Sequence, residues 1–205
     1  MKGIIKDTIT LFVITLIAGL ALGAVHAITL GPIEQAQINA ANATYAVVYP
    51  DAVAFEETDA LAAAKDAANA EIDSWGMGKA GKLSINNAMV AKDASGNEVG
   101  YMINATSGEG YGGNVKISVG ITNEGKVTGI GYLTLNETPG LGMKAKDAAF
   151  RDQFVGKDAT GAIEMIKAGS ANDSQFNAIS GATFTSGATN KALNAALKFV
   201  NEYVK

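Results

Sequence analysis

The chain has no cysteine and a single histidine, His26. The first absence excludes disulfides, thiolate zinc sites, Cys-ligated iron–sulfur clusters and a cysteine nucleophile. The second excludes a histidine-based triad and any metal site built from several imidazoles. Chemistry carried by this chain therefore falls to a cofactor. Charge is sparse as well. The 16 Lys plus Arg against 20 Asp plus Glu give a formal net charge of −4, spread out without an acidic or basic run. That balance argues against nucleic acid as a partner. There is no internal repeat and no long low-complexity stretch. At 205 residues the length fits one domain with an appendage.

Residues 8–33 carry no formal charge. Taken as helix over 8–30, the run spans about 35 Å at roughly 1.5 Å per residue, enough for a bilayer core of ~30 Å. It exceeds the ~7–15 apolar residues of a signal-peptide core, which favours a retained anchor over a leader cleaved after "VHA" at 25–27. Gly31-Pro32 is the expected stop. Lys2 and Lys6, partly offset by Asp7, precede the run, and Glu34 is the first charge after it. The positive-inside bias then expects residues 1–7 in the cytoplasm, 8–30 across the inner (cytoplasmic) membrane, and the rest on the far side.

Residues 31–82 read as a helical connector, with two Ala-rich helices around Pro50. The first holds Ile38, Tyr45, Val47 and Val48; the second opens at a Thr58 cap and runs to about Ser74. From Leu83 the period changes to two. One hairpin is expected around Ser95-Gly96-Asn97. Another is expected around Asn123-Glu124-Gly125, where Val115, Ile117 and Val119 alternate, then Val127, Ile130 and Leu133. Further helices are expected at about 144–154 and 159–168, and a last one from Ser186 with Leu193, Leu197 and Val200 on one face. The fold class is α+β: a single N-terminal transmembrane helix, then a soluble domain over 83–205 with a central antiparallel sheet flanked by helices.

Three short stretches carry more than fold. "GEGYGG", residues 108–113, joins the two hairpins and is too rich in glycine for a strand interior. Its plain reading is a loop; its functional reading is backbone approaching a planar ligand, with Tyr111 as a stacking face. No strand–turn–helix unit surrounds it, so it is not a dinucleotide fingerprint. "ETPGLG", residues 137–142, holds a type II turn at Pro139-Gly140. The carboxylate of Glu137 and hydroxyl of Thr138 before that turn resemble a donor–acceptor set for a heterocycle edge. "SGATFTS", residues 180–186, precedes the last helix. Ser186 suffices as a cap, which leaves Ser180, Thr183 and Thr185 around Gly181. The competing readings are capping alone, or an anion at a helix start, where unpaired amides and the dipole favour negative charge.

These motifs in this order, behind a single anchor, resemble the FMN-binding G subunit of the Rnf ion-translocating ferredoxin:NAD oxidoreductase. They are also similar to the C subunit of the sodium-translocating NADH:quinone oxidoreductase. The resemblance covers essentially the whole chain. It implies FMN attached covalently through its phosphate to Thr183 by a flavin transferase, with Ser180, Gly181, Ala182 and Thr185 around the attachment. It implies ring contacts from Glu137, Thr138, Leu141 and Gly142. It also implies other subunits of a membrane redox complex as partners, with no metal and no catalytic acid, base or nucleophile. The short length and the anchor running into "GPI" look more like the Rnf protein. The alternatives are its quinone-reductase relative and a stand-alone extracytoplasmic FMN-binding module. Two positions depart from the family pattern: Asn177, where Asp is usual, and Leu135, where His is common.

Overall fold

The structure, a computed structural model, describes residues 2–204. It divides into two compact units, Met1–Asn42 and Ala43–Lys205. The described residues of the first, 2–42, are helical, as part of helix α1, Lys2–Val48. Its large apolar side chains, among them Ile4, Phe12, Leu20 and Leu22, are exposed, and the helix is long and apolar enough to cross a membrane. A helix satisfies its backbone groups internally, as hydrocarbon demands. The Thr8, Thr10 and Thr29 hydroxyls likewise donate to carbonyls four residues back. Gly31-Pro32 does not stop this helix, because Pro32 lies inside it. An interior proline removes one ladder bond at about 3 kcal/mol. The following "IEQAQINAANATYAVV" is rich in Ala and Gln, strong helix formers, and the helix propagates past the defect.

In the second unit five strands form one antiparallel sheet in chain order. They are β1 (Ala54–Glu56), β2 (Leu83–Lys92), β3 (Glu98–Ser107), β4 (Val115–Thr122) and β5 (Val127–Thr134). Both expected hairpins are present, with Gly96 and Gly125 in their turns at φ 83° and 77°, a region glycine enters at no steric cost. Strand β1 pairs with the far end of β2 and is too short to leave a period-two signal. One sheet face carries Ile85, Ile103, Ile117 and Val119 into the core, where they join Leu61, Ala68, Ala192, Leu193 and Phe199. The first two of those come from α2 (Asp59–Glu71), whose cap is Thr58 as expected: Oγ1 accepts from Leu61 N at 3.2 Å. The other three come from α4 (Thr183–Phe199), whose alanines let it lie close to the strands.

The end of α1 rests on glycines of the sheet. A Cβ on Gly120 would come 3.1 Å from the Tyr49 ring, and one on Gly129 3.0 Å from Val48 O. Tyr45, Val48 and Tyr49 are buried there. Tyr49 Oη donates to Val99 O at 2.6 Å, and Thr128 Oγ1 donates to Val48 O at 2.7 Å.

Two expected helices differ. Residues 142–154 are broken into a 3₁₀ turn (Gly142–Lys146), α3 (Ala148–Arg151) and a second 3₁₀ turn (Asp152–Phe154). Asp147, extended at ψ 142°, interrupts the run; aspartate competes for helical backbone bonds and disfavours helix interiors. Residues 159–168 are not helical: β6 (Glu164–Ile166) pairs in parallel with β7 (Gln175–Asn177). The cause is tertiary. Asn194 Oδ1 accepts from Ile163 N at 2.8 Å, and Asn190 and Asn194 donate to Ile163 O at 2.6 and 2.9 Å. Side chains of α4 thus take the backbone groups a helix would pair. The architecture remains α+β, an antiparallel sheet flanked by helices.

Candidate functional site

At the start of α4 the hydroxyls of "SGATFTS" separate into different roles. Ala182 holds the cap position and offers no side-chain bond. Ser186, the expected cap, faces inward instead: its Oγ accepts from Ile179 N at 2.9 Å and donates to Ala182 O at 3.0 Å. The helix therefore begins three residues earlier. Its first ladder bond is Ser186 N to Ala182 O, so the amides of Thr183, Phe184 and Thr185 precede the ladder. They make no hydrogen bond to the described residues. Ser180 and Thr183 are exposed. Thr185 is buried, and its Oγ1 has no partner. An unsatisfied buried hydroxyl costs about 1–3 kcal/mol, which directs attention to what it faces.

Next to it lies the "ETPGLG" turn. Leu141 N bonds Thr138 O at 3.1 Å, and Gly140 sits at φ 76°, as a type II turn requires. The glycine-rich loop crosses beside this turn. Glu137 Oε1 accepts from Tyr111 N at 2.9 Å and Oε2 from Gly112 N at 3.3 Å. Both oxygens of the carboxylate are thus engaged by loop backbone, so Glu137 is a clamp on that loop as well as a lining group. The closeness requires glycine. A Cβ on Gly112 would overlap Asn136 O, one on Gly110 would lie 2.7 Å from Glu137 Oε1, and one on Gly142 2.5 Å from Thr185 Oγ1. A carboxylate of the loop itself ties it to α4 and to the residues before β2. Glu109 accepts from Lys191 Nζ at 2.7 Å and from Lys79 N at 2.8 Å. The Lys191 contact, ahead of the Lys79 amide, holds the Glu109 carboxyl below its usual range.

These elements enclose a cavity of about 350 Å³, within the ~300–1,000 Å³ of ligand pockets. It is lined by Tyr111, Glu137, Thr138, Leu141, Gly142, Gly181, Ala182, Thr183, Phe184 and Thr185. Of the residues expected at a binding site, only Ser180 lies outside the lining. Phe184 is the lining residue missed in the sequence. At about 100° per residue it falls about 180° from Leu193, an apolar side chain turned away from the core stripe. Tyr111 and Phe184 are 75% and 69% exposed, leaving two aromatic faces at the rim. Gly181, at φ 79°, brings the chain to 3.2 Å from Leu141 for any added Cβ. No Lys, Arg or His lines the cavity. An anion there meets amides and hydroxyls at a helix N-terminus. Free amides for a phosphate, a buried unpaired hydroxyl for a polar edge and aromatic faces for a flat ring fit FMN.

A family model described as an FMN-binding domain matches residues 110–198, a span that includes every lining residue. The G subunit of the Na(+)-translocating ferredoxin:NAD(+) oxidoreductase complex of Acetobacterium woodii is 34% identical to this chain over 198 residues. The match covers 96% of this chain and 91% of that protein. The chain belongs to this G-subunit family. The G subunit of the proton-translocating complex of Clostridium ljungdahlii is 31% identical over 205 residues, covering 97% of this chain and 96% of that protein. Among solved structures, the C subunit of the Na(+)-translocating NADH-quinone reductase of Parabacteroides distasonis aligns with a TM-score of 0.49. Identity is 22%, over 57% of this chain and 61% of that one. In this member of the G-subunit family, Leu135 is buried in the core. Asn177 has its backbone held at both ends by Gln153, which accepts from Asn177 N at 2.8 Å and donates to Asn177 O at 3.3 Å.

Proposed function

We propose that this chain is the membrane-anchored flavoprotein of an ion-translocating ferredoxin:NAD oxidoreductase, relaying electrons between other subunits through FMN. Residues 8–30 anchor it in the inner membrane, with residues 1–7 cytoplasmic. Residues 31–82 connect the anchor to an FMN-binding domain, 83–205, outside the cytoplasm. A flavin transferase joins FMN through its phosphate to Thr183. Similarity along nearly the full length of two G-subunit proteins supports this over a stand-alone module.

One observation carries the linkage: Thr183 stands exposed among unpaired first-turn amides in a cavity without a cation. A phosphate monoester carries about −1.5 to −2 at neutral pH, and esterification to a threonine leaves a single charge. Helix-terminal amides stabilise a nearby anion by roughly 0.3–2 kcal/mol, a range suited to the lower charge. When bound, FMN supplies the electron-carrying chemistry, and the protein supplies position and electrostatics. Glu137 and Glu109 hold the loop that presents Tyr111, and Phe184 borders the cavity beside the attachment residue. No side chain of this chain is assigned as an acid, base or nucleophile.

Intact-mass spectrometry tests the linkage on chain produced together with the flavin transferase. The wild type is expected to carry the added mass of FMN, and Thr183→Ala to lose it. An unmodified wild type, or an adduct retained in the variant, overturns the assignment.

A further inference from the structure

A second cavity, of about 320 Å³, is lined by the end of α1 (Thr44, Val47), by β5 (Gly131, Tyr132) and by Lys146 and Arg151. It lies at the open side of the sheet, since β5 is the last strand in the order. Arg151 is the chain's single arginine. Its Nε is buried without a hydrogen-bond partner. Neither Arg151 nor Lys146 forms an ion pair with the described residues. Four lysines elsewhere pair with Asp or Glu of another turn or strand: Lys92 with Glu56, Lys126 with Asp158, Lys191 with Glu109, Lys198 with Glu202. What sets this cavity apart is that the buried, unpartnered guanidinium N–H of Arg151 and the Lys146 ammonium line the same space.

A buried N–H without an acceptor carries its full desolvation cost, and more so on a charged group. A planar guanidinium beside an ammonium offers the donors that paired oxygens accept. The other walls are partly apolar, with Val47 59% exposed and Tyr132 also in the lining.

We propose that this cavity is an oxyanion site, separate from the flavin cavity, that takes a carboxylate. Arg151 and Lys146 bind its oxygens, and Val47 flanks the carbon that bears it. The carboxylate is supplied by a small dicarboxylic acid in solution or by an acidic side chain of a neighbouring subunit. The chemistry of contact is the same, and the site does not depend on FMN.

The lone arginine makes a direct experiment possible. Full chain in detergent micelles, labelled with ¹⁵N-arginine, gives a single side-chain Nε–H correlation, and Arg151→Lys deletes it. Succinate is titrated at constant ionic strength with chloride as the balancing ion. A saturable displacement of that resonance is expected, with the apparent affinity reduced about fivefold in Lys146→Gln, as for one partly exposed charge pair. A solid-state spectrum of the assembled complex separates the sources. A resonance already displaced and insensitive to succinate assigns the carboxylate to a neighbouring subunit; one that still titrates assigns it to solution. A resonance undisplaced in both preparations overturns the proposal, and so does Lys146→Gln titrating as the wild type does.

Discussion

The two cavities are close in volume, about 350 and 320 Å³, and each is suited to an anion, but by different means. The cavity at the start of α4, where FMN is proposed to sit, has no Lys, Arg or His in its lining. Its donors are the first-turn amides of α4 and the Thr185 hydroxyl, while Lys191 of the same helix is already bound to Glu109. The Arg151 cavity has two cations and no carboxylate to match them. Backbone donors are fixed in direction and require no side-chain ordering, so they suit a group held in one pose for the life of the protein. Formal charges reach further and are screened by salt, which suits an ion or partner that arrives and leaves.

A single glycine tests the backbone-built cavity most severely. If the flavin cavity is built from backbone, Gly112→Ala is its most damaging small change. The added Cβ would overlap Asn136 O, and that atom is main chain, with no rotamer to move it aside. Overpacking of this kind costs about 1–3 kcal/mol, and the Tyr111 loop should leave its clamp. Thermal unfolding should fall accordingly and the flavin content of purified protein should drop. An unchanged melting temperature with full flavin would mean the loop is not held as tightly as its contacts imply.

Thr185→Val sharpens the comparison through a change of sign. In the flavin-free chain the hydroxyl is buried and unpartnered, so a side chain of the same shape without it should stabilise by about 1 kcal/mol. In the flavin-bound chain the same substitution should destabilise, because the hydroxyl then has an acceptor or donor to lose. Denaturant titrations of protein made with and without the transferase measure both. The same sign in both forms would separate Thr185 from the ligand.

Much of the geometry of the candidate site was legible in the sequence because its turn chemistry is local. Gly96, Gly125 and Gly140 occupy the left-handed positions their motifs announce, and Thr58 caps the helix it precedes. What escaped depends on contacts distant along the chain. Ser186 looks like a cap, but Ile179 N claims its hydroxyl. The helical pattern over 159–168 is overridden by Asn190 and Asn194 from α4. Glu137 was recognisable as a carboxylate set before a turn but not as a clamp, because Tyr111 lies in another loop. Phe184 passed as one apolar residue among hydroxyls. The second cavity has no sequence signature, since Thr44, Gly131, Lys146 and Arg151 meet only through packing.

The smallest effect concerns what the lysines near each cavity do. Lys191 donates to Glu109 at 2.7 Å, and this contact, followed by the Lys79 amide, holds the Glu109 carboxyl below its usual value. A carboxyl with a depressed folded pKa contributes stability that is complete above its unfolded value, ~4.3. That contribution is lost as pH falls through the folded value. At pH 7, Glu109→Gln should therefore lower stability by up to about 1 kcal/mol, the scale of a partly exposed pair. The gap to wild type should begin to narrow below the unfolded value and close once pH has fallen through the lower folded value, where the wild-type side chain is also neutral. At pH 7 it should narrow as salt shortens the Debye length from about 30 Å at 0.01 M to about 3 Å at 1 M. Lys146→Gln is the companion. With no carboxylate of the described residues paired to Lys146, its difference from wild type should not follow this acid limb. A Glu109→Gln gap that stays flat through the acid range would mean the clamp on the Tyr111 loop works by shape alone. The Lys191–Glu109 pair would then add no charge-dependent stability, and the loop would rest on the Glu137 bonds and on glycine packing.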